Sequence, residues 1–100
     1  MILFHPAAQQ ELLDAATYYE EQLTDLGLDC LATIEEALKH IENEPFAYFL
    51  SHPKLNIRRC VVPRFPYVIY YRATEAFVEV YAIAHQARKP DYWLSRRKLN

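Results

Sequence analysis

The side chains best able to recognise another molecule lie in the second half of this 100-residue chain. They are arginines along a predicted sheet and a basic, aromatic group at its far end, namely Arg58, Arg59, Arg64, Arg72, His85, Arg88, Lys89, Tyr92, Trp93, Arg96, Arg97 and Lys98. Residues 1–44 carry ten acidic side chains and one basic one, whereas residues 45–100 carry three acidic and ten basic ones. An anionic partner should therefore meet the second half.

The bulk properties restrict the class of protein. A net formal charge of -2 and a pI near 6.0 argue against a protein that coats nucleic acid by electrostatics alone. No apolar stretch is long enough to span a membrane, and the first residues do not have the pattern of a signal peptide. We therefore expect no membrane partner and, by default, a cytoplasmic location.

The two cysteines, Cys30 and Cys60, lie in apolar segments without a His or Cys partner at ligand spacing. This context predicts reduced thiols in the core rather than a disulfide or a metal site. We expect neither a metal nor a cofactor.

The elements that would position the basic side chains should form one domain over residues 1–100. Apolar and β-branched runs at residues 60–62, 67–71 and 77–83 are separated by short breaks, which predicts antiparallel neighbouring strands. Residues 1–4 suit a further strand of the same sheet. Residues 45–55 are predicted to be irregular, burying Phe46 and Phe49 and leaving His52 in an exposed loop.

Two helices should precede the sheet. Five apolar residues at helical spacing predict a helix over residues 7–26, and Pro6 before it suits a first helical turn. These apolar residues are Leu12, Ala16, Tyr19, Leu23 and Leu26. Gly27, the only glycine, is expected to end this helix in the left-handed conformation. A second helix, ended by Pro45, is predicted from Leu31, Ile34, Leu38 and Ile41. The predicted fold is α+β, with an N-terminal strand and an antiparallel two-helix hairpin packed on a three- to four-stranded antiparallel sheet.

Simple alternation divides the last strand into two faces. The small aliphatic face should lie under the helices, and it comprises Val78, Val80, Ala82 and Ala84. The other face would carry Phe77, Glu79, Tyr81, Ile83 and His85. Tyrosines of the preceding strand, Tyr67, Tyr70 and Tyr71, are expected to be exposed and suited to a partner segment.

The predicted order of elements, together with the segments IRRCVVPRFPYVIYYR and AIAHQARKPDYW, resembles the RelE/ParE superfamily of bacterial type II toxin–antitoxin toxins. The resemblance covers nearly the whole chain. It implies a toxin that is held inactive by a cognate antitoxin, as in systems for plasmid stabilisation.

The superfamily divides by target, and the resemblance implies different residue roles in each case. A RelE-like ribosome-dependent mRNA endonuclease would use His85 as base or acid, Arg59, Arg64 and Arg88 as phosphate clamps, and Tyr92 as an acid or stacking platform. A ParE-like member would inhibit DNA gyrase through contacts alone. Gln86 and Ala87 stand where closely spaced basic residues are expected in a nuclease, which favours the ParE-like alternative.

The ParE-like alternative assigns target contacts to Arg59, Arg64, His85, Arg88, Tyr92 and Trp93. Ordinary structural roles compete with each assignment: Trp93 could pack the tail onto the sheet, and His85 could be a hydrogen-bonded structural histidine. Arg96, Arg97 and Lys98 suit a solvated basic end or an antitoxin contact. A function of another class, a non-toxic protein-binding module, is also open.

Overall fold

The computed structural model describes the backbone of residues 1–99 and the side chains of residues 1–97. Its helices are α1 (Pro6–Gln22) and α2 (Leu26–Asn43), and its strands are β1 (Ile2–Phe4), β2 (Phe49–His52), β3 (Ile57–Val61), β4 (Tyr67–Ala73) and β5 (Val78–His85). Short 3-10 turns cover Pro53–Leu55 and Leu94–Leu99. The strands form one sheet in the order β1-β5-β4-β3-β2.

The sheet is antiparallel except at β1, which runs parallel to β5. This confirms the predicted α+β fold and the place of the N-terminal strand, with five strands instead of three or four. The additional strand is β2, in the segment predicted to be irregular. It is a short edge strand whose Phe49 pairs with Arg59 of β3, and Pro53 follows it immediately.

The helices begin and pack for identifiable reasons. His5 caps α1 because its Nδ1 accepts a hydrogen bond from the Ala7 N–H at 3.0 Å, and Pro6 fits the first turn. In α2 the predicted apolar positions Ile34, Leu38 and Ile41 are buried against the sheet. Leu23, which was predicted to face the core, lies beyond the end of α1 and is exposed.

The expected role of Gly27 was wrong. The left-handed residue between the helices is Asp25, with φ of 70°, whereas Gly27 lies in the first turn of α2. A Cβ atom on Gly27 would meet the Ala16 carbonyl oxygen at 2.2 Å and the Glu20 Cβ at 2.7 Å. The residue is therefore glycine because the two helices approach closely there.

An irregularity in β5 changes which residues face the helices. Tyr70 pairs with Ala82 but Tyr71 pairs with Val80, so that Tyr81 is an extra residue in the β5 ladder. Beyond this bulge Ile83 joins Val80 on the helix side. The strict alternation predicted for this strand is therefore wrong after Val80. The opposite side of the sheet, called here the open face, carries Tyr81, Ala82 and Ala84.

The aromatic residues of the central strands are arranged differently from the prediction. Tyr67 and Tyr71 are buried under the helices, and the Tyr71 hydroxyl donates to the Pro45 carbonyl oxygen at 2.7 Å. Phe46 and Phe49, which were expected to be buried, are 51% and 64% exposed. Each lies beside a guanidinium, at 5.5 Å for Arg58 on Phe46 and 5.1 Å for Arg59 on Phe49.

The cysteine prediction is confirmed, because Cys30 and Cys60 are free and buried, and burial raises the pKa of both thiols. Within residues 1–99, no helix has the length and apolar character needed to cross a membrane.

Gly27→Ala tests the close approach of the two helices. Alanine would raise helix propensity by about 1 kcal/mol, but the collision with the Ala16 carbonyl should cost more, for a net loss of about 1 to 3 kcal/mol in the free energy of unfolding. Urea denaturation followed by circular dichroism measures the change. A more stable variant would contradict the packing described here.

Tyr67→Phe tests the burial of a tyrosine hydroxyl. Burial is the main cause that raises the pKa of Tyr67 from 10.0 to about 12. The unfolded chain loses the Tyr67 hydroxyl proton near pH 10, whereas the folded chain loses it only near pH 12. The contribution of this hydroxyl to the free energy of unfolding is therefore complete below pH 10 and is lost between pH 10 and 12. Between pH 10 and 12, the free energy of unfolding should fall less steeply in Tyr67→Phe than in the wild type. The exposed Leu13→Ala, which removes no titratable group, is the control and should keep the wild-type slope.

Candidate functional site

The basic segment after β5 folds back against the end of the sheet. The Gln86 N–H donates to the Pro66 carbonyl oxygen at 2.9 Å, and the Arg88 N–H donates to the His85 carbonyl oxygen at 3.0 Å. The Nδ1 atom of His85 accepts from the Ala87 N–H at 3.0 Å, and its ring lies edge-on to the Tyr67 ring with centroids 5.3 Å apart. The turn and the buried tyrosine thus fix the orientation of His85.

Arg88 is exposed and stacks on Tyr92, with its guanidinium carbon 3.9 Å from the centre of the ring. The Tyr92 hydroxyl donates to the Glu11 carboxylate of α1. Burial, followed by this hydrogen bond, raises the pKa of Tyr92, so that the hydroxyl is protonated at neutral pH. Tyr92 therefore presents the face of its ring to Arg88, while its hydroxyl points to a carboxylate.

Glu11 is the centre of a partly buried polar cluster that sequence reasoning missed. Its carboxylate accepts from the Ile83 N–H at 3.0 Å and forms a two-point ion pair with Arg96, at 2.9 and 3.0 Å. Arg96 also donates to the Tyr81 carbonyl oxygen at 2.9 Å. The side chains of Glu11 and Arg96 are 14% and 15% exposed.

The placement of Arg96 corrects the view of residues 96–98 as a solvated basic end. Arg96 is bound within the fold by Glu11, and Arg97 is half-buried. The side chain of Lys98 lies outside the described part of the chain.

Trp93 is the apolar anchor of the same segment. Its indole is 1% exposed and stacks on Tyr70, with ring centroids 4.6 Å apart and planes inclined by 27°. The Tyr81 ring is nearly parallel to it at 6.5 Å. Trp93 was predicted both as a target contact and as a packing residue. Its burial assigns it to packing, so that it positions its neighbours rather than presenting a surface.

His52 belongs to this anchor, which corrects its prediction as an exposed loop residue. Its Nε2 lies 3.0 Å from Asp91 Oδ1, its Nδ1 lies 2.8 Å from Ser51 Oγ, and its ring lies edge-on to Trp93 at 5.3 Å. His52 is thirty-nine residues before Asp91 in the chain. No local pattern could have joined them, because the strand that carries His52 was itself not predicted.

The two remaining predicted site residues lie in different places. Arg59 is exposed on the open face, and its cross-strand partner is Tyr70, which contacts Trp93. Arg64 is in the β3–β4 connection and pairs with Asp29 of α2, with Nη2 and Oδ2 2.9 Å apart. The structure thus brings together His85, Arg88, Tyr92 and Trp93, with Arg59 next to this group through Tyr70, and it places Arg64 at α2. We give the name strand-exit surface to the half-buried His85, the exposed cations Arg88 and Lys89, and the Tyr92 ring.

A groove of about 550 Å³ lies between α2 and β3. Its apolar lining comprises Ala32, Ala37, Tyr48, Cys60, Val61 and Pro63, and its polar rim comprises Asp29, Thr33, Glu36, His40 and Arg64. We call it the α2–β3 groove. The pairs between β2 and β3 reach only as far as Arg59, so Cys60 and Val61 continue beside the groove. Among the described residues, no group of three or more His, Cys, Asp or Glu could hold a metal ion.

Comparisons with known proteins concern the family and the fold of the chain. Residues 2–90 match the family model described as ParE toxin of type II toxin-antitoxin system, parDE. No curated protein matches the chain. Among solved structures, the chain is similar to "Chromosomal ParDE TA system from P. aeruginosa", with a TM-score of 0.72 and 17% sequence identity over 84% of this chain and 92% of that chain. At this identity the structural likeness shows the fold alone.

Proposed function

This chain belongs to the ParE toxin family of type II toxin–antitoxin systems, and on that premise we propose that it arrests growth by poisoning DNA gyrase in the cytoplasm until a cognate antitoxin neutralises it. The observation that carries the proposal is the fixed, exposed guanidinium of Arg88 on the Tyr92 ring, at 3.9 Å. A cation held in place before binding loses little conformational freedom when it meets a partner.

The surroundings of Arg88 suit an anionic partner surface. His85 and Lys89 flank it on the same turn, and Arg59 lies on the open face beside the Trp93 anchor. Gyrase acts on DNA, so that an acidic protein surface or the phosphate backbone held by the enzyme would complement these charges. In this proposal the strand-exit surface binds the target and carries out no covalent chemistry.

The same geometry favours gyrase over mRNA as the target. A nuclease would need its acid and its phosphate clamps to converge on one phosphate. Here the Tyr92 hydroxyl donates to Glu11, and Arg64 is paired with Asp29 on α2. Two of the residues that RNA cleavage would require are therefore bound elsewhere, while Arg88 remains exposed.

We assign the antitoxin to the α2–β3 groove. Membership of the family implies an antitoxin partner. The groove has a volume of about 550 Å³ and an apolar floor, and Val61 beside it is exposed. The antitoxin segment would insert apolar side chains over Ala32 and Cys60, and its polar groups would meet the rim at Asp29, Glu36 and Arg64. The exposed Asp29–Arg64 pair contributes little to stability, so that a partner could replace it at low cost.

Expression without antitoxin is the first test of the function. We expect growth to stop, supercoiling by gyrase to fall, and mRNA to stay intact, as measured by plasmid topology and primer extension in the same cultures. Arrest with cleaved mRNA would contradict the gyrase proposal. Normal growth in the presence of folded, soluble protein would support the non-toxic binding module.

Arg88→Ala tests the strand-exit surface. Removing a well-placed arginine from a binding surface costs about 1 to 2 kcal/mol, or roughly tenfold to thirtyfold in affinity. Inhibition of supercoiling by purified protein should weaken by this factor, while the dissociation constant for the antitoxin stays unchanged. Lys54→Ala removes an exposed cation from the Pro53–Leu55 turn and serves as the control. Equal effects of both substitutions would show that only net charge matters.

Ala32→Glu tests the antitoxin site. Ala32 is exposed on α2 and lines the groove, so that glutamate places a charged side chain where the apolar antitoxin segment should lie. We expect the antitoxin to bind at least tenfold more weakly, measured by calorimetry, and the variant to inhibit gyrase as the wild type does. Ala76→Glu, in the exposed β4–β5 turn, is the control. Unchanged antitoxin affinity would place the antitoxin elsewhere.

A further inference from the structure

We propose that Glu11 is a positioning residue for the strand-exit surface, because its carboxylate, acting through Tyr92, fixes the position of the Arg88 guanidinium. The importance of Arg88 for the target rests on the proposed function, whereas the positioning itself is a property of this chain. Glu11 lies in α1, outside the basic half of the molecule. It contacts Tyr92 directly and reaches Arg88 only through the Tyr92 ring.

The first step of the argument is that the Glu11 carboxylate is itself immobile. It accepts from the Ile83 N–H, the Tyr92 hydroxyl and both terminal nitrogens of Arg96. Four donors around one partly buried carboxylate leave it little freedom, because a charge that is largely removed from water is stable only where its partners stay in place. The position of the carboxylate is therefore set by the sheet.

The second step is that the cluster completes the edge of β5. The parallel strand β1 pairs with β5 from Val78 to Val80. Beyond it, the Tyr81 carbonyl accepts from Arg96 and the Ile83 N–H donates to Glu11. The side chains of Glu11 and Arg96 thus satisfy two backbone groups next to the bulge. A longer β1 would otherwise pair with these groups. The two side chains join α1, β5 and the segment after β5 at one point.

The third step concerns the charges around the Tyr92 ring. Arg88 lies 3.9 Å and Arg96 lies 5.1 Å from its centre, so that two guanidinium groups share one aromatic ring. Two like charges this close repel each other unless an anion compensates one of them. Glu11 compensates Arg96 and holds the ring by its hydroxyl, which leaves the ring available to Arg88.

The fourth step separates positioning from general stability. Trp93 holds the same segment independently, through Tyr70, Tyr81 and His52. Loss of the Glu11 charge should therefore leave the segment on the sheet and displace mainly Tyr92 and Arg88. Loss of the Glu11 charge also leaves Arg96 uncompensated and should lower the free energy of unfolding. A local readout at Arg88 is therefore needed beside the stability measurement.

The experiment combines a target-independent readout with binding. In wild-type protein the ring current of Tyr92 should shift the Arg88 side-chain proton resonances upfield in NMR spectra. We expect Glu11→Gln to move them most of the way to exposed-arginine values, and Tyr92→Phe, which keeps the ring but loses the hydroxyl, to move them partly. Glu79→Gln is the matched control, because Glu79 also accepts from a tyrosine, Tyr81, and pairs with an arginine, Arg72, away from Arg88.

The binding arm measures inhibition of supercoiling and antitoxin affinity for the same variants. Glu11→Gln should weaken inhibition about fivefold to tenfold, leave antitoxin affinity unchanged, and have no further effect when Arg88 is already alanine. The inference would be overturned if the Arg88 resonances of Glu11→Gln stayed at their wild-type positions. It would also be overturned if Glu11→Gln weakened inhibition equally with arginine and with alanine at position 88. Should Glu11→Gln not fold, the resonances of Tyr92→Phe decide. Absence of gyrase inhibition by the wild type would refute the proposed function alone, since the NMR arm still tests the positioning.

Discussion

The constraint on which the candidate surface depends is the burial of one carboxylate, that of Glu11. A charged group that is mostly removed from water must be matched by donors, and Glu11 has a strand N–H, a tyrosine hydroxyl and an arginine around it. These donors come from β5 and from the segment that follows it. Satisfying one charge therefore connects α1, β5 and the basic segment that follows it.

Two ion pairs that join the acidic first half to the basic second half differ in their burial. Glu11 and Arg96 are both about one-seventh exposed, whereas Asp29 and Arg64 are 55% and 58% exposed. The buried pair would leave an uncompensated charge if one member were lost, while the exposed pair is screened by water and salt. Arg96 thus belongs to the scaffold, and Arg64 is available to a partner. A count of basic residues does not distinguish these roles.

The sequence predicted the elements that have a regular period and failed where geometry departs from it. The spacing of Ile34, Leu38 and Ile41 identified α2, because a buried helix face must repeat in this way. The strand β2 was missed, since an edge strand needs no apolar alternation and this one contains polar residues before a proline. The bulge at Tyr81 also has no local sequence pattern, and the predicted faces of β5 were wrong beyond it. The backbone groups beside the bulge are satisfied by Glu11 and Arg96, which are distant in the sequence.

At the candidate site, residue type alone does not show whether a side chain faces the solvent or the interior. Arg88, Tyr92 and Trp93 were predicted as contacts because basic and aromatic residues suit recognition, but the same residue types also serve as internal anchors. Trp93 turns inward onto Tyr70, and Arg96 turns inward onto Glu11. Glu11 precedes Tyr92 by eighty-one residues, and an acidic residue in an early helix is typical of a solvated face. The basic residues that remain outside, rather than the total number of them, define what a target can meet.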